Sequence, residues 1–301
     1  MGSTLLYVLT VLIWGSTWLA IEYQLGVVSP EVSLVYRFAL AAGLMWAYCL
    51  FKGLPMKYSR RDHGFFMLLA LCNFGCNYLL LYWAQAYLVS AMSSIAFSTL
   101  LIINMLNYRL FFGQPVVPRM MLGAVLGIAG IVSLFWQDIR QFDLSSDALL
   151  GLCLAVGGTL IASFGNMTSV RNSKNGIGVL QGNAWGMLYS ALFLTLFVLL
   201  SGGQFSIDMS FSYIGSLVYL SVFGTVLAFA FYFVLIKDIG PEKASYTAVL
   251  FPVVAVILSV LFEDMRLQSA TLLGFVLVLS GNVLVLTPMS RLKGWLFKAR
   301  N

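Results

Sequence analysis

The sequence has very little charge. Only 9% of its 301 residues are Asp, Glu, Lys or Arg, and 60% are hydrophobic, whereas a soluble domain carries about 25% charged residues. So few charges cannot cover a water-facing surface, which excludes a soluble globular protein and predicts an integral membrane protein. The first apolar run has no Lys or Arg before it and no clear cleavage site, so we expect a membrane helix rather than a signal peptide.

Residues that bind metals or perform acid–base chemistry are also scarce. The one histidine, His63, sits in a loop, and the four cysteines fall inside apolar segments, where thiols behave as small hydrophobic groups. We therefore expect no metal, no cofactor and no disulfide framework. The spans show no paired acids and no Ser–His arrangement, so an enzyme is the least expected class. The sequence has no Walker-type glycine loop, so any transport would have to be driven by a gradient or by a partner.

Apolar segments long enough to cross the hydrocarbon layer recur ten times. They lie at 4–21, 32–51, 64–82, 90–108, 120–137, 148–167, 180–200, 212–235, 244–262 and 270–287. One set of alternate loops and the C-terminal tail hold fourteen Lys and Arg residues, and the opposite loops hold two. The positive-inside rule then predicts a multi-pass protein of a bacterial-type cytoplasmic (inner) membrane with both termini in the cytoplasm. The net charge of +6 follows from topology, so no nucleic-acid partner is expected.

The chain also contains an internal repeat. A shift of 151 residues overlays 93–113 on 244–264, and it places Gly123 on Gly274 and Gly130 on Gly281. Because five spans per half is an odd number, the second half must be inverted in the membrane. We therefore predict a first five-helix repeat at 1–137, a second, inverted one at 148–287, and a basic cytoplasmic tail at 288–301.

Three motifs carry a family resemblance. Span one reads "LIWGSTWLA", the region of span nine reads "GPEKASYTAVLFPVVAVILSVLFEDMRL", and span ten ends in "GFVLVLSGNVLVL". With Arg37 after a proline-led loop, their order and spacing resemble the EamA-type branch of the drug/metabolite transporter superfamily over nearly the whole chain. The resemblance implies an all-α membrane carrier of ten transmembrane helices, a 5+5 inverted repeat around a central cavity. The sequence departs from the family pattern in two places. The proline common in the fourth span is absent, with Leu101 opposite Pro252 of the repeat, and the acidic residue that often ends that span is replaced by Gly113, opposite Asp264.

Polar or irregular residues near the middle of a span are candidates for the cavity wall, because a polar side chain in hydrocarbon needs a partner or water. The candidates are Trp14, Thr17, Asn73, Asn77, Ser94, Ser98, Thr159, Ser163, Thr225, Tyr232 and Tyr246, with Pro252 as a helix irregularity. A serine or threonine can instead bond the carbonyl one turn earlier in its own helix, or bond a neighbouring helix. An asparagine has two donors and two lone pairs to satisfy, which favours a cavity position for Asn73 and Asn77.

Arg37 is the one basic residue that lies inside a span, roughly 10 Å below the outer end at 1.5 Å per residue. It could extend to the outer headgroups, or pair with Glu22 on the preceding helix as an outer gate. All eleven acids lie at span ends or in loops, so the midplane should be nearly uncharged. An uncharged midplane suits a neutral or zwitterionic substrate, and leaves Glu22 as the candidate for proton coupling.

These features predict a secondary, alternating-access exporter of small neutral or zwitterionic metabolites such as amino acids, with the lipid bilayer as its other partner. The many aromatic residues are also compatible with a multidrug exporter, which is an alternative function. A lipid flippase or scramblase also remains open, and would need a lateral groove with polar residues that face lipid. Gly123 and Gly127 form a small-xxx-small pattern, which favours packing within a monomer, with a dimer contact as the alternative.

Overall fold

The computed structural model describes residues 2–24, 26–88, 93, 96–141, 146–262 and 269–287. Within these ranges every regular element is a helix, and ten helices are longer than ten residues. We label them α1 (Ser3–Glu22), α2 (Pro30–Phe51), α3 (Arg60–Gln85), α4 (Leu100–Phe112), α5 (Pro118–Leu134), α6 (Ser146–Lys174), α7 (Val179–Leu200), α8 (Phe211–Ile239), α9 (Thr247–Phe262) and α10 (Ser269–Leu286). Two short helices, Trp136–Gln141 and Pro241–Ala244, precede α6 and α9.

Several helices can cross a bilayer. In the described ranges, six combine the necessary length and apolar composition: α2, α3, α6, α7, α8 and α10. On α7, Leu192, Leu196 and Leu199 are each more than half exposed and share one face at helical spacing. Such an apolar outer stripe suits contact with lipid, so the chain is a multi-pass, all-helical membrane protein.

Local sequence signals set several helix ends. Ser29, Ser59 and Ser210 each accept a hydrogen bond from the backbone N–H three residues later, as N-cap residues do. Pro30 follows at the first helical position of α2, where its missing N–H costs nothing. Gly113 ends α4 with a φ of +66°, a conformation that favours glycine.

Glycine allows α5 and α10 to pack closely. A Cβ added at Gly281 would lie 2.6 Å from the Gly123 carbonyl oxygen, and one added at Gly274 would lie 2.7 Å from that of Gly130. From Gly123 to Gly130 along α5, the contacting glycine of α10 changes from Gly281 back to Gly274, so the two helices are antiparallel. The glycine pattern of span five is thus buried inside one chain.

Two helices contain a π-helical segment. In α3 it covers Ala70–Gly75 and includes Asn73, and in α8 it covers Val222–Leu227 and includes Thr225. Such segments are rare and are often found at functional sites. Both face the interior of the bundle, where α1 packs on α8 and α9, α2 on α7, and α3 and α4 on α6.

Candidate functional site

A cavity lies between α1, α2, α3, α4, α6, α8 and α9. It offers about 110 Å³ to the centres of water-sized molecules, roughly ten times the minimum that one water requires. Six of the sequence candidates lie on its wall: Trp14, Thr17, Arg37, Asn73, Asn77 and Tyr232. Among the described residues, no group of three His, Cys, Asp or Glu side chains could hold a metal ion.

Trp14 is at the centre of the aromatic part of the wall. Its ring lies edge-on to three others, with centroid distances of 5.1 Å to Phe229, 5.0 Å to Tyr232 and 5.3 Å to Phe251. Its indole Nε1 donates to the Gly224 carbonyl at 3.0 Å, within the π segment of α8. Edge-to-face contacts add to the area that aromatic rings bury, so Trp14 joins α1 to α8 and α9 and shapes the cavity.

A chain of polar side chains continues from the cavity into the bundle. In the orientation that satisfies both of its amide atoms, Asn73 donates to the Ala162 carbonyl at 3.2 Å and accepts from the Asn166 backbone N–H at 3.3 Å. Asn166 Nδ2 donates to the Tyr232 hydroxyl at 3.1 Å. The Tyr232 hydroxyl lies 3.3 Å from Ser245 Oγ on the segment before α9. Asn166, a polar residue that the sequence places within span six, therefore also lines the cavity. Asn77 differs, because its Oδ1 is buried without a hydrogen-bond partner among the described residues.

Arg37 is buried, with 2% of its surface exposed. Its Nε donates to Thr225 Oγ1 at 2.8 Å, and its Nη2 lies 3.4 Å from the Gly224 carbonyl and 3.5 Å from the Tyr78 hydroxyl. The guanidinium carbon lies 5.0 Å from the centre of the Tyr78 ring. The side chain therefore turns inward rather than toward headgroups. The Glu22 side chain lies outside the described residues, so the predicted Glu22–Arg37 pair stays a prediction.

Two hydroxyl candidates lie away from the cavity wall. Thr159 donates to the Ala155 carbonyl at 2.7 Å, within its own helix. Ser163 donates to Asn104 Oδ1 at 2.6 Å and accepts from Asn107 Nδ2 at 2.8 Å, so it joins α6 to α4. Both follow the alternative considered for hydroxyl residues, because a single O–H is readily satisfied by a nearby helix.

The other candidates also lie elsewhere. Thr225 does not line the cavity but accepts a hydrogen bond from Arg37, which does. Ser98 is fully buried and does not line the cavity. Pro252 lies inside α9, which runs on through it without a break in the assigned helix. Ser94 lies outside the described residues.

The structure corrects the expected position of Tyr246. Its hydroxyl donates to the Val278 carbonyl at 3.0 Å and lies 3.3 Å from that of Gly123, so the ring is buried between α5 and α10 rather than beside the cavity. The reason is steric. Gly127 and Gly281 leave a space that the hydroxyl end fills, and periodicity alone does not reveal such a space.

We predict that Tyr246→Phe lowers the free energy of unfolding by about 1 kcal/mol and leaves substrate affinity unchanged, because it removes one buried hydroxyl hydrogen bond. Thermal unfolding and ligand binding in detergent would measure both. Tyr48→Phe is the matched control, since that side chain is 47% exposed. A change in substrate affinity with unchanged stability would contradict this structural role and show that Tyr246 belongs to the binding site.

A second cavity lies near the ends of α6 and α8. It is larger, about 460 Å³, and its wall includes Lys174, Lys237, Asp238, Glu242 and Lys243. Burial raises the pKa of Glu242. The first cavity is the stronger candidate site, because it holds buried polar atoms without partners, whereas this one is lined by charges at helix ends, where charges are ordinary.

Comparison with known proteins gives a consistent result. A family described as the EamA-like transporter family matches residues 1–136 and 149–287. Protein PecM of Dickeya dadantii is 27% identical over 277 residues, which cover 91% of this chain and 88% of that protein. The uncharacterized inner membrane transporter YedA of Escherichia coli K12 is 26% identical over 249 residues, 82% of this chain and 78% of that protein. A crystal structure with 18% identity superposes with a TM-score of 0.81 and covers 96% of this chain and 98% of that one, which shows a shared fold.

Proposed function

Because the chain belongs to the EamA-like transporter family, we propose that it is a secondary, non-ATP exporter that moves small neutral or zwitterionic metabolites, such as amino acids, by alternating access. The observation that carries this proposal is the first cavity. It combines an aromatic wall around Trp14 with a few buried polar groups, among them Arg37 and Asn77. Small-molecule sites typically pair an apolar wall with a small number of placed polar groups.

We also propose that the ten helices form a 5+5 inverted repeat, with halves at 1–137 and 148–287. The helix contacts support this symmetry. If each helix of the first half is exchanged with its counterpart five helices later, the pairs α2–α7 and α5–α10 are unchanged. The same exchange turns the pair α3–α6 into α8–α1 and the pair α4–α6 into α9–α1. The two helices of each of these pairs are in contact. The shift of 151 residues likewise exchanges the Gly123–Gly281 contact with the Gly274–Gly130 contact, and the two π segments lie at matching places in α3 and α8.

Alternating access then follows from two related halves that exchange conformations around one site. On one side the wall reaches Ile21, Tyr82 and Gln85, near the ends of α1 and α3 that the charge pattern assigns to the outer face. On the other side, the hydrogen bonds of Tyr232 with Asn166 and Ser245 lie across the path. These contacts support an arrangement that opens outward and is closed toward the cytoplasm, with both termini on the cytoplasmic side of an inner membrane.

One alternative is favoured by a specific observation. The aromatic wall, with Phe97, Phe229 and Phe251 beside Trp14, also suits hydrophobic drugs, so a multidrug exporter is the second candidate. A lipid flippase or scramblase requires polar groups that face lipid, whereas the polar groups of this cavity lie inside the bundle. We propose a monomer as the working unit, because the α5 glycines are already covered within the chain, Gly123 by α10 and Gly127 by Tyr246 and Val249.

Transport into vesicles tests the proposal. Purified protein in proteoliposomes should move labelled amino acids down a gradient. The double variant Asn73→Ala, Asn77→Ala should reduce this flux about tenfold or more, because it removes two amide groups that offer hydrogen bonds to a substrate. Asn175→Ala, at the exposed end of α6, is the matched control. Unchanged flux in a folded double variant would reject this site. Transport of hydrophobic cations but not amino acids would favour the multidrug exporter, and transbilayer movement of a labelled lipid would favour the flippase.

A further inference from the structure

The segment that joins α2 to α3 concentrates positive charge. It carries four exposed cations within ten residues, which are here called the basic surface: Lys52, Lys57, Arg60 and Arg61. None of the four forms an ion pair with a described carboxylate. Asp62, the acid that follows them, is already engaged, because its carboxylate accepts from Arg171 at 2.9 Å and from Ser59 at 2.7 Å. The basic surface is therefore not neutralised by the part of the chain that the structure describes.

Other cations on the same side of the protein have partners. At the end of α6, Arg171 pairs with Asp62, and Lys174 Nζ lies 4.2 Å from the centre of the Phe112 ring. The connection between α8 and α9 contains two cations and two acids: Lys237, Asp238, Glu242 and Lys243. The segment between α4 and α5 adds only two cations, against four in the basic surface. Positive-inside sorting explains why all of these cations lie on one side, but it does not explain why four of them gather at one place without partners.

An exposed apolar surface adjoins these cations. At the end of α2, Tyr48, Leu50 and Phe51 are 47%, 62% and 85% exposed. The Phe51 ring is in contact with the basic surface, because Lys52 Nζ lies 5.8 Å from its centre. Exposed apolar side chains of a membrane helix lie against lipid, so cations at the end of that helix lie at the level of the headgroups. Charge and apolar surface therefore meet where a phospholipid carries its own phosphate.

The backbone that carries the basic surface is fastened to α7. Trp185 Nε1 donates to the Met56 carbonyl at 3.2 Å, next to Lys57. His63, in the first turn of α3, makes a 2.8 Å hydrogen bond through Nδ1 with the Tyr189 hydroxyl. These contacts fix the path of the segment before any ligand arrives, which lowers the entropic cost of binding.

We propose that the basic surface and the adjoining end of α2 bind an anionic phospholipid, with the cations at its headgroup and Leu50 and Phe51 beside its acyl chains. Each basic residue close to a membrane surface strengthens the attraction to anionic lipid about fivefold. A soluble phosphate would contact the cations and leave the exposed end of α2 uncovered, so the combination favours a lipid. The assignment goes beyond the proposed transport function and does not depend on what the first cavity binds.

Titration of the purified protein in a neutral detergent with phosphatidylglycerol or phosphatidylcholine tests the assignment. Binding is followed by the thermal unfolding temperature, which a bound lipid raises, and by native mass spectrometry. Wild type should bind phosphatidylglycerol about tenfold or more tighter than phosphatidylcholine. Replacing all four cations of the basic surface by Gln should abolish this preference. A control variant removes the same formal charge elsewhere on that side and should keep the preference: Arg109→Gln, Lys174→Gln, Lys237→Gln and Lys243→Gln. The basic tail at 288–301 is present in both variants.

Two further arms separate a lipid from a soluble anion. Phe51→Ser keeps every charge and should weaken phosphatidylglycerol binding severalfold, because it removes an apolar contact with the acyl chains. Glycerol 3-phosphate, the headgroup chemistry without the chains, should not stabilise wild type at concentrations where phosphatidylglycerol saturates. Equal binding of the two lipids by wild type, or equal loss of the preference in both four-residue variants, would overturn the proposal. Equal stabilisation by glycerol 3-phosphate would replace the lipid by a soluble anion. Amino-acid flux in vesicles, measured separately, decides the proposed function.

Discussion

Gly281→Ala and Gly274→Ala are each expected to lower the free energy of unfolding by about 2 to 3 kcal/mol. The added methyl group at Gly281 would lie 2.6 Å from the Gly123 carbonyl oxygen, and the one at Gly274 would lie 2.7 Å from that of Gly130. These neighbours are backbone atoms of α5, which move only if the whole helix moves. Each substitution would therefore force α5 and α10 apart along their contact.

Thermal unfolding of the purified protein in detergent measures the effect. Gly43→Ala is the matched control, because it lies inside α2 and a Cβ there meets no heavy atom within 4 Å. The control should be neutral or slightly more stable, since alanine favours a helix by up to about 1 kcal/mol over glycine. If Gly281→Ala and Gly274→Ala were as stable as Gly43→Ala, α5 and α10 would not pack in this register.

Trp14→Ala is expected to weaken substrate affinity about thirty-fold or more, the loss typical of a central aromatic contact. The variant removes three edge-on ring contacts at about 5 Å and the hydrogen bond from Nε1 to the Gly224 carbonyl. Trp14→Phe keeps a ring and loses the hydrogen bond, so its affinity should fall between wild type and Trp14→Ala. Titration calorimetry or transport kinetics with the best substrate of the proteoliposome panel would measure the difference.

Trp46 offers a closely matched control. Its Nε1 donates to the Ala184 carbonyl at 3.1 Å, and its ring lies edge-on to Trp185 with centroids 4.6 Å apart, but it joins α2 to α7 away from the cavity. Trp46→Phe should lower thermal stability and leave affinity unchanged. An equal loss of affinity in Trp14→Phe and Trp46→Phe would mean that Trp14 acts through stability alone.

The sequence by itself determined the class of protein. With 60% hydrophobic and 9% charged residues, no soluble arrangement can cover its surface, and long apolar segments leave the helix as the element that satisfies every backbone group in lipid. The motifs around Trp14 and Pro252 indicated the family, because their order and spacing along the chain resemble the family pattern. Asn73 and Asn77 were placed near the cavity from their chemistry, since an amide with four hydrogen-bonding sites is hard to satisfy inside a helix.

The tertiary structure alone decided which face of each helix meets the cavity. A membrane helix that is apolar all round has no periodic stripe to indicate its interior face, so Thr159 and Tyr246 were as plausible on the wall as Thr17 and Tyr232. A hydroxyl finds a carbonyl in its own helix or in a neighbour, and that choice depends on spaces such as the one above Gly127. The direction of Arg37 was decided in the same way. Its partners Gly224 and Thr225 lie nearly two hundred residues away in a π segment, and only the packing of α2 against α8 brings them together.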